Sequence, residues 1–417
     1  MTSDYIQVFI LSLLKIPNRL QNVAVNYLMM LMLDLPRHSM SEAAAISGLS
    51  TAQFSRLLSG HPDLAKSSLE QLVRSAAKSI EKPLQPLLPK SPWKIALIID
   101  ASIHRRSSVH IENSQRFNHG QGFKIGHQWT NILLVINGRE IPLAPIKFLT
   151  RKECKKRGEP YLTETERVLE RLENLELSRY IGHYCPEDLV VLMDGGYDAK
   201  KIQNCILQKG WDFIVSLKTT RSVKSSSSKE KSWRSVADMF RATRRQSPWK
   251  SVRFKRDGKR KRKGIRARKL TGYLKGVTGR EMAFVCSKKS KGDGRRFLAC
   301  SRVEASMSLI LQAYKIRWRV EIFHREINGL FGLEDIASKS FAAVEAHVHW
   351  VYSAYILMTL LPIEGSLIAR RKKVSDGVRA DPMRELGKTI QRLQGQYGGK
   401  EKIRELVAAV VQGTLAA

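Results

Sequence analysis

At 417 residues the chain is long enough to bury large cores and to hold two to four domains. Its 43% hydrophobic content suits a soluble globular protein, and no apolar run approaches 18 residues, so a membrane-spanning helix is not expected. A formal charge of +34 calls for a polyanionic partner, with nucleic acid ahead of an anionic membrane surface.

The first residues, MTSDYIQVFILSLLKIP, place Asp4 ahead of a short apolar run of helical period. They read as a core helix rather than a signal peptide. Residues 1–90 are expected to be all-helical. Within them, SEAAAISGLSTAQFSRLLSG (41–60) has the layout of a helix-turn-helix. Ser41 would cap the first helix, Gly48 would supply a turn with positive φ, and Ser50 would cap the second. Ala44, Gly48, Leu49 and Phe54 are the packing positions. The second helix would present Thr51, Gln53, Ser55 and Arg56 to DNA. A plain helical hairpin uses the same Gly turn.

Residues 82–93 carry four prolines and form a linker. The period then changes. KIALIID (94–100) is a continuous apolar run ending in an acid, as a buried central strand would be. QWTNILLVIN (128–137) and REIPLAPIKF (139–148) follow as strands joined at Asn137-Gly138. An amphipathic helix spans 162–177. LVVLMD (189–194) is a second buried strand ending in an acid, followed by Gly195-Gly196, a helix over 199–208 and a strand over 211–218. The order β-β-β-α-β-α-β indicates an α/β core.

Residues 219–300 break that core. They open on a Ser/Lys loop (222–232) and give strand signals at 249–256, 266–273 and 281–287. Residues 221–300 hold 27 Lys and Arg against 5 Asp and Glu, with the densest run at Lys259–Lys263. Interleaved Trp233, Trp249, Phe254, Tyr273 and Phe284 favour a folded β-rich unit with a DNA-facing surface over a disordered tract. One of the tryptophans could stack an unpaired base, although a core role is the commoner one.

A helical pattern without Gly or Pro then runs from Met307 to Asn328. Tyr314, Arg317, Glu321 and Asn328 fall at i, i+3, i+7 and i+14, on one face. A further long apolar helix covers 340–361. The five cysteines are scattered, with no CxxC pair, which fits a reducing cytoplasm and gives no zinc or disulfide pattern.

Three acids therefore stand out. Asp100 and Asp194 end buried strands, where sites gather in α/β sheets, and Glu321 lies on a later helix. Carboxylates set together repel unless a cation neutralises them, and oxygen donors suit Mg²⁺ or Mn²⁺. Two such ions could activate a water or a 3′-hydroxyl and steady the leaving oxygen of a phosphodiester. Asp198 reads as a helix cap, and Glu326 lies on another face from Glu321.

On these residues the chain resembles the DDE transposases of bacterial insertion sequences, in the cut-and-paste family with the signature Y-x2-R-x3-E-x6-K. Tyr314, Arg317 and Glu321 match it; Asn328 stands where the pattern has Lys, with Lys315 or Arg325 as substitutes. LIIDASIHRRSS and LVVLMDGGYD resemble the two Asp motifs. The resemblance covers about residues 90–361. It implies a ribonuclease H-like catalytic core interrupted by a β-rich insertion and preceded by an all-helical DNA-binding domain. The expected division is 1–90 (helix-turn-helix), 91–218 (core), 219–300 (basic insertion), 301–361 (core with the Glu helix) and 362–417 (basic helical tail).

The resemblance further implies that Asp100 bridges two metal ions and that Asp194 and Glu321 each hold one. Tyr314 and Arg317 would hold phosphate. Lys124 and His127, expected between the first two strands, could approach DNA, as could Arg325 and Asn328. The implied partners are double-stranded DNA and a second copy in a synaptic dimer. A DNA-binding regulator, an inactive relic and a nuclease without strand transfer are the competing readings.

Overall fold

The computed structural model describes residues 2–119, 122–226, 232–245, 247–252, 265–288 and 294–380. The basic run at 259–263, parts of the expected 222–232 loop and 249–256 strand, and most of the 362–417 tail lie outside them.

Five helices come first: α1 (Ser3–Leu13), α2 (Asn18–Met32), α3 (Met40–Ser47), α4 (Thr51–Gly60) and α5 (Pro62–Lys78). The sheet begins with β1 (Ile95–Arg105), β2 (Gln115–His119), β3 (Gly122–Ile136), β4 (Arg139–Pro142) and β5 (Ile146–Lys147). Helices α6 (Arg151–Arg157), α7 (Glu164–Glu173) and α8 (Ser178–Ile181) lead to β6 (Leu189–Met193), α9 (Lys200–Gln208) and β7 (Asp212–Leu217). Then come β8 (Ser222–Ser225), β9 (Arg234–Ser235), α10 (Val236–Ala242), β10 (Lys250–Val252), β11 (Ile265–Leu274), β12 (Met282–Lys288) and β13 (Arg296–Cys300). Helices α11 (Met307–Ile316), α12 (Trp318–Phe331) and α13 (Phe341–Leu360) follow.

The strands form one mixed sheet in the order β2-β3-β1-β6-β7-β13-β12-β11-β8-β9. β1, β6 and β7 are parallel neighbours, and β3 runs antiparallel to β1. The two apolar runs take the centre, as their composition requires: Ile95 to Ile99 and Leu189 to Met193 are all buried. Strands β8 to β13 extend this same sheet, because β13 pairs directly with β7.

Helix α13 is apolar on every side and correspondingly buried almost throughout. It packs against α2, α4 and α5 on one side and against α12 and β4 on another. The N-terminal helices thus share a core with the rest of the chain. Among the described residues, no helix is long and apolar enough to cross a membrane.

Several local expectations need correction. The strand expected from Gln128 starts at Gly122, so Lys124 and His127 lie on β3 rather than in a loop. His127 is buried; one ring nitrogen accepts from Arg106 Nε and the other meets the Glu112 carbonyl, so it does not face DNA. The 139–148 strand divides into β4 and β5, and the 162–177 helix stops at Glu173. The 307–328 helix is interrupted at Arg317. There Arg317 N–H donates to the Tyr314 carbonyl and Val320 N–H to that of Arg317, a tighter i−3 pattern than the α-helical one.

Candidate active site

Register brings two of the acids together. Ile99 pairs with Met193 across the parallel β1–β6 ladder, so Asp100 and Asp194 follow at neighbouring positions. Asp194 closes β6, and its Oδ1 accepts from Gly196 N–H at 2.8 Å. A Cβ on Gly196 would sit 3.0 Å from that oxygen, so the glycine leaves the carboxylate its room. The loop is held from below by Tyr197, whose hydroxyl donates to Glu164 Oε1 at 2.5 Å. Gln128 and Thr130 on β3 donate to the same carboxylate, at 2.6 and 3.2 Å.

Arg317 connects the third acid. Its Nη2 lies 3.0 Å from Glu321 Oε1 and its Nη1 3.6 Å from Asp100 Oδ2. Its guanidinium also stands 5.9 Å from the centre of the Tyr314 ring. Burial opposes the charge on Arg317, but Tyr314, Glu321 and Asp100 together hold its pKa above the ordinary value. Tyr314 is itself shifted up, chiefly by burial.

Asp100 is strongly perturbed. Burial pushes it up to about 7; Arg317 opposes the shift, and Asp194 and Glu321 add to it. Asp100 and Glu321 thus share one guanidinium in a half-buried place, with Asp194 close enough to Asp100 to add to its shift. Among the described residues, however, no three acidic, His or Cys side chains already form a metal-binding cluster. Arg317 takes up the charge of Asp100 and Glu321 instead.

The neighbouring acids are occupied elsewhere. Asp198 pairs with Arg221 at 3.2 Å and accepts from Gln203 at 2.9 Å; it does not cap α9, whose N-cap is Ala199. Glu326 lies with Glu140 beside Tyr355, and burial followed by Glu140 raises it to about 7. Asp212 is a buried structural acid, bound by Trp93, Ser301 and Arg302.

Arg325 and Asn328 are exposed on α12, and Lys124 is half-buried on β3. In the N-terminal helices Gly48 has φ +71° as expected. The first helix is capped by Ser39 rather than Ser41, and Ala43 rather than Ala44 is the fully buried alanine. Ser50 caps α4 in a reciprocal box with Gln53, whose Oε1 accepts from Ser50 N–H at 2.8 Å. That oxygen is therefore committed to the cap. Thr51, Ser55 and Arg56 are exposed. Trp249 is covered by Arg268 and Lys288, at 5.7 and 4.9 Å from its ring centre, which fits the structural role; Trp233 is exposed.

Sequence reasoning missed a second layer of polar residues. Asn131 on β3 donates to His324 on α12 at 2.7 Å and to Ser102 at 2.9 Å, and it accepts from Tyr352 on α13. The available signal was a lone Asn in the apolar run TNILLVI, together with a His three residues after Glu321.

Parallel strands ending in adjacent acids, with a third acid on a covering helix, define an α/β protein built around a carboxylate site. Residues 94–357 match the family model described as Transposase DDE domain. That is more than half of the chain, which belongs to this family of transposases. A search of curated proteins returned no match.

Proposed function

We propose that the chain is a metal-dependent DNA transposase, which cleaves the ends of an insertion sequence and joins them to target DNA. The observation that carries this reading is the frustrated charge at the sheet's end. A half-buried Asp100 stands in the field of Asp194 and Glu321, offset mainly by Arg317. The sheet order β4-β3-β1-β6-β7, antiparallel at first and parallel across the last two pairs, supports a ribonuclease H-like core.

The donor set fits a hard divalent cation, since all three groups are oxygen ligands with excess negative charge. Asp100, Asp194 and Glu321 would hold it, as one ion or as a pair. When bound, Mg²⁺ or Mn²⁺ supplies an activated water or 3′-hydroxyl and stabilises the leaving oxygen. The chain's own residues do the rest. Arg317, already facing two carboxylates, offers the scissile phosphate a planar, two-pronged donor. Tyr314 supports that guanidinium from one helical turn away. Lys124, Arg325 and Asn328 would line the approach of the duplex. In the N-terminal helices Arg56, Thr51 and Ser55 would grip DNA; Gln53 would serve it through its free amide hydrogens. Activity would require a dimer bridging two ends.

The reading is tested on DNA carrying the element's ends, incubated with Mg²⁺ and followed by strand-cleavage and joining gels. Cleavage and joining are expected. Cleavage without joining would make the chain a nuclease, and binding without either would make it a regulator. The retention of all three acids disfavours the regulator.

A further inference from the structure

We propose that Asn131 and His324 are positioning residues: a partly buried amide–imidazole bridge fixes the helix carrying Glu321 to the strand carrying Asp100. The inference rests on the catalytic reading above. Asn131 lies directly opposite Asp100 in the antiparallel β1–β3 register, so both side chains project from the same face of the sheet. Ser102, two residues on, shares that face. His324 follows Glu321 by three residues on α12, about one turn along the helix. The bridge thus spans the gap between the two acids with one hydrogen bond of 2.7 Å.

The polarity of the network is fixed at Asn131. The Tyr352 hydroxyl donates to Asn131 Oδ1, which fixes the amide's orientation. Asn131 Nδ2 then directs its hydrogens to His324 Nε2 and to Ser102 Oγ. Ser102 Oγ in turn shares a hydrogen bond with His104 Nε2 at 3.1 Å. The His324 imidazole must therefore be neutral, with the proton on Nδ1. Burial depresses both His104 and His324, the latter to about 4, in agreement. A largely satisfied polar network of this kind, centred on the buried Asn131, holds its elements in one arrangement. Partners of this kind around liganding carboxylates commonly contribute 10–100-fold to metal affinity or rate.

The test compares His324→Phe with His324→Gln, whose amide oxygen can still accept from Asn131. Three quantities are measured: single-turnover cleavage of end DNA, DNA-end affinity, and Mn²⁺ affinity by the loss of the free-ion electron paramagnetic resonance signal. His324→Phe is expected to lower the cleavage rate and Mn²⁺ affinity about 10–100-fold, with DNA affinity changed less than about twofold. His324→Gln should recover most of both losses. Wild-type rate and Mn²⁺ affinity in His324→Phe would overturn the proposal, as would a Gln variant no better than Phe. If His324→Phe does not fold, Tyr352→Phe removes only the hydroxyl that orients Asn131. It should slow cleavage about 10-fold, and an unchanged rate would overturn the proposal. Asp100→Ala serves as control. If it cleaves like wild type, the catalytic reading fails; if it is dead while His324→Phe is unaffected, only the positioning inference fails.

Discussion

Replacing Asp100 with Asn should stabilise the fold while removing activity. In the folded chain Asp100 titrates near 7, mainly because it is buried and secondarily because Asp194 and Glu321 are close. An unfolded aspartate titrates near 3.9. The folded state therefore holds a proton that the unfolded state has released, from about pH 4 to pH 7. Stability falls as pH rises across that window and is level above it. The full shift corresponds to about 4 kcal/mol. Relaxation and competing charges reduce this to about 2–4 kcal/mol. Asn mimics the protonated form and leaves Arg317 its closer partner, Glu321, at 3.0 Å. Urea unfolding of Asp100→Asn and wild type at several pH values reads the effect. The variant's advantage should be near zero at pH 4, grow by up to about 1.4 kcal/mol per pH unit, and level off above pH 7. A pH-independent difference, or a destabilised variant at pH 8, would refute the electrostatic reasoning.

Further outcomes are expected away from the acids. Gly332 ends α12 with φ +63°, and an added Cβ would lie 2.5 Å from His38 Cβ, so Gly332→Ala should cost about 2–4 kcal/mol in urea unfolding. Arg56→Ala should weaken end binding across sequences and reduce the slope of log affinity against log salt by about 1, measured by fluorescence anisotropy. Asn328→Lys should tighten end binding, since Asn328 is exposed and the family pattern has Lys there. Unchanged binding would mean that this end of α12 lies off the DNA.

Much of the architecture was legible because burial on both faces leaves a plain mark. KIALIID and LVVLMD suit central strands, and the acids ending them fall side by side once those strands pair in parallel. The break at Arg317 was hidden because no Gly or Pro marks it. It arises where the chain tightens to i−3 bonding, with Arg317 reaching the acids. The start of β3 was hidden because FKIGHQ lacks an alternating pattern, its pairing being supplied by β1 and β2. Ser41 was expected to cap α3, but Ser39, two residues earlier, accepts from Glu42 N–H and caps it instead. The union of β8 to β13 with the core sheet depends on β13 finding β7, a distant pairing that periodicity does not encode. Asn131 looked like an exception in an apolar strand until α12 and α13 supplied its partners.

The central claim is that Asp100, Asp194 and Glu321, and not the acids beside them, carry the chemistry. Single-turnover cleavage of end DNA in Mg²⁺ by five alanine variants tests it most directly. Asp100→Ala, Asp194→Ala and Glu321→Ala should each lose cleavage by at least about 10³-fold while binding the ends. Asp198→Ala and Glu326→Ala should cleave within about tenfold of wild type, since they sit against Arg221 and Glu140 outside the site. Wild-type cleavage by any of the first three, or complete loss in either of the last two, would contradict the assignment.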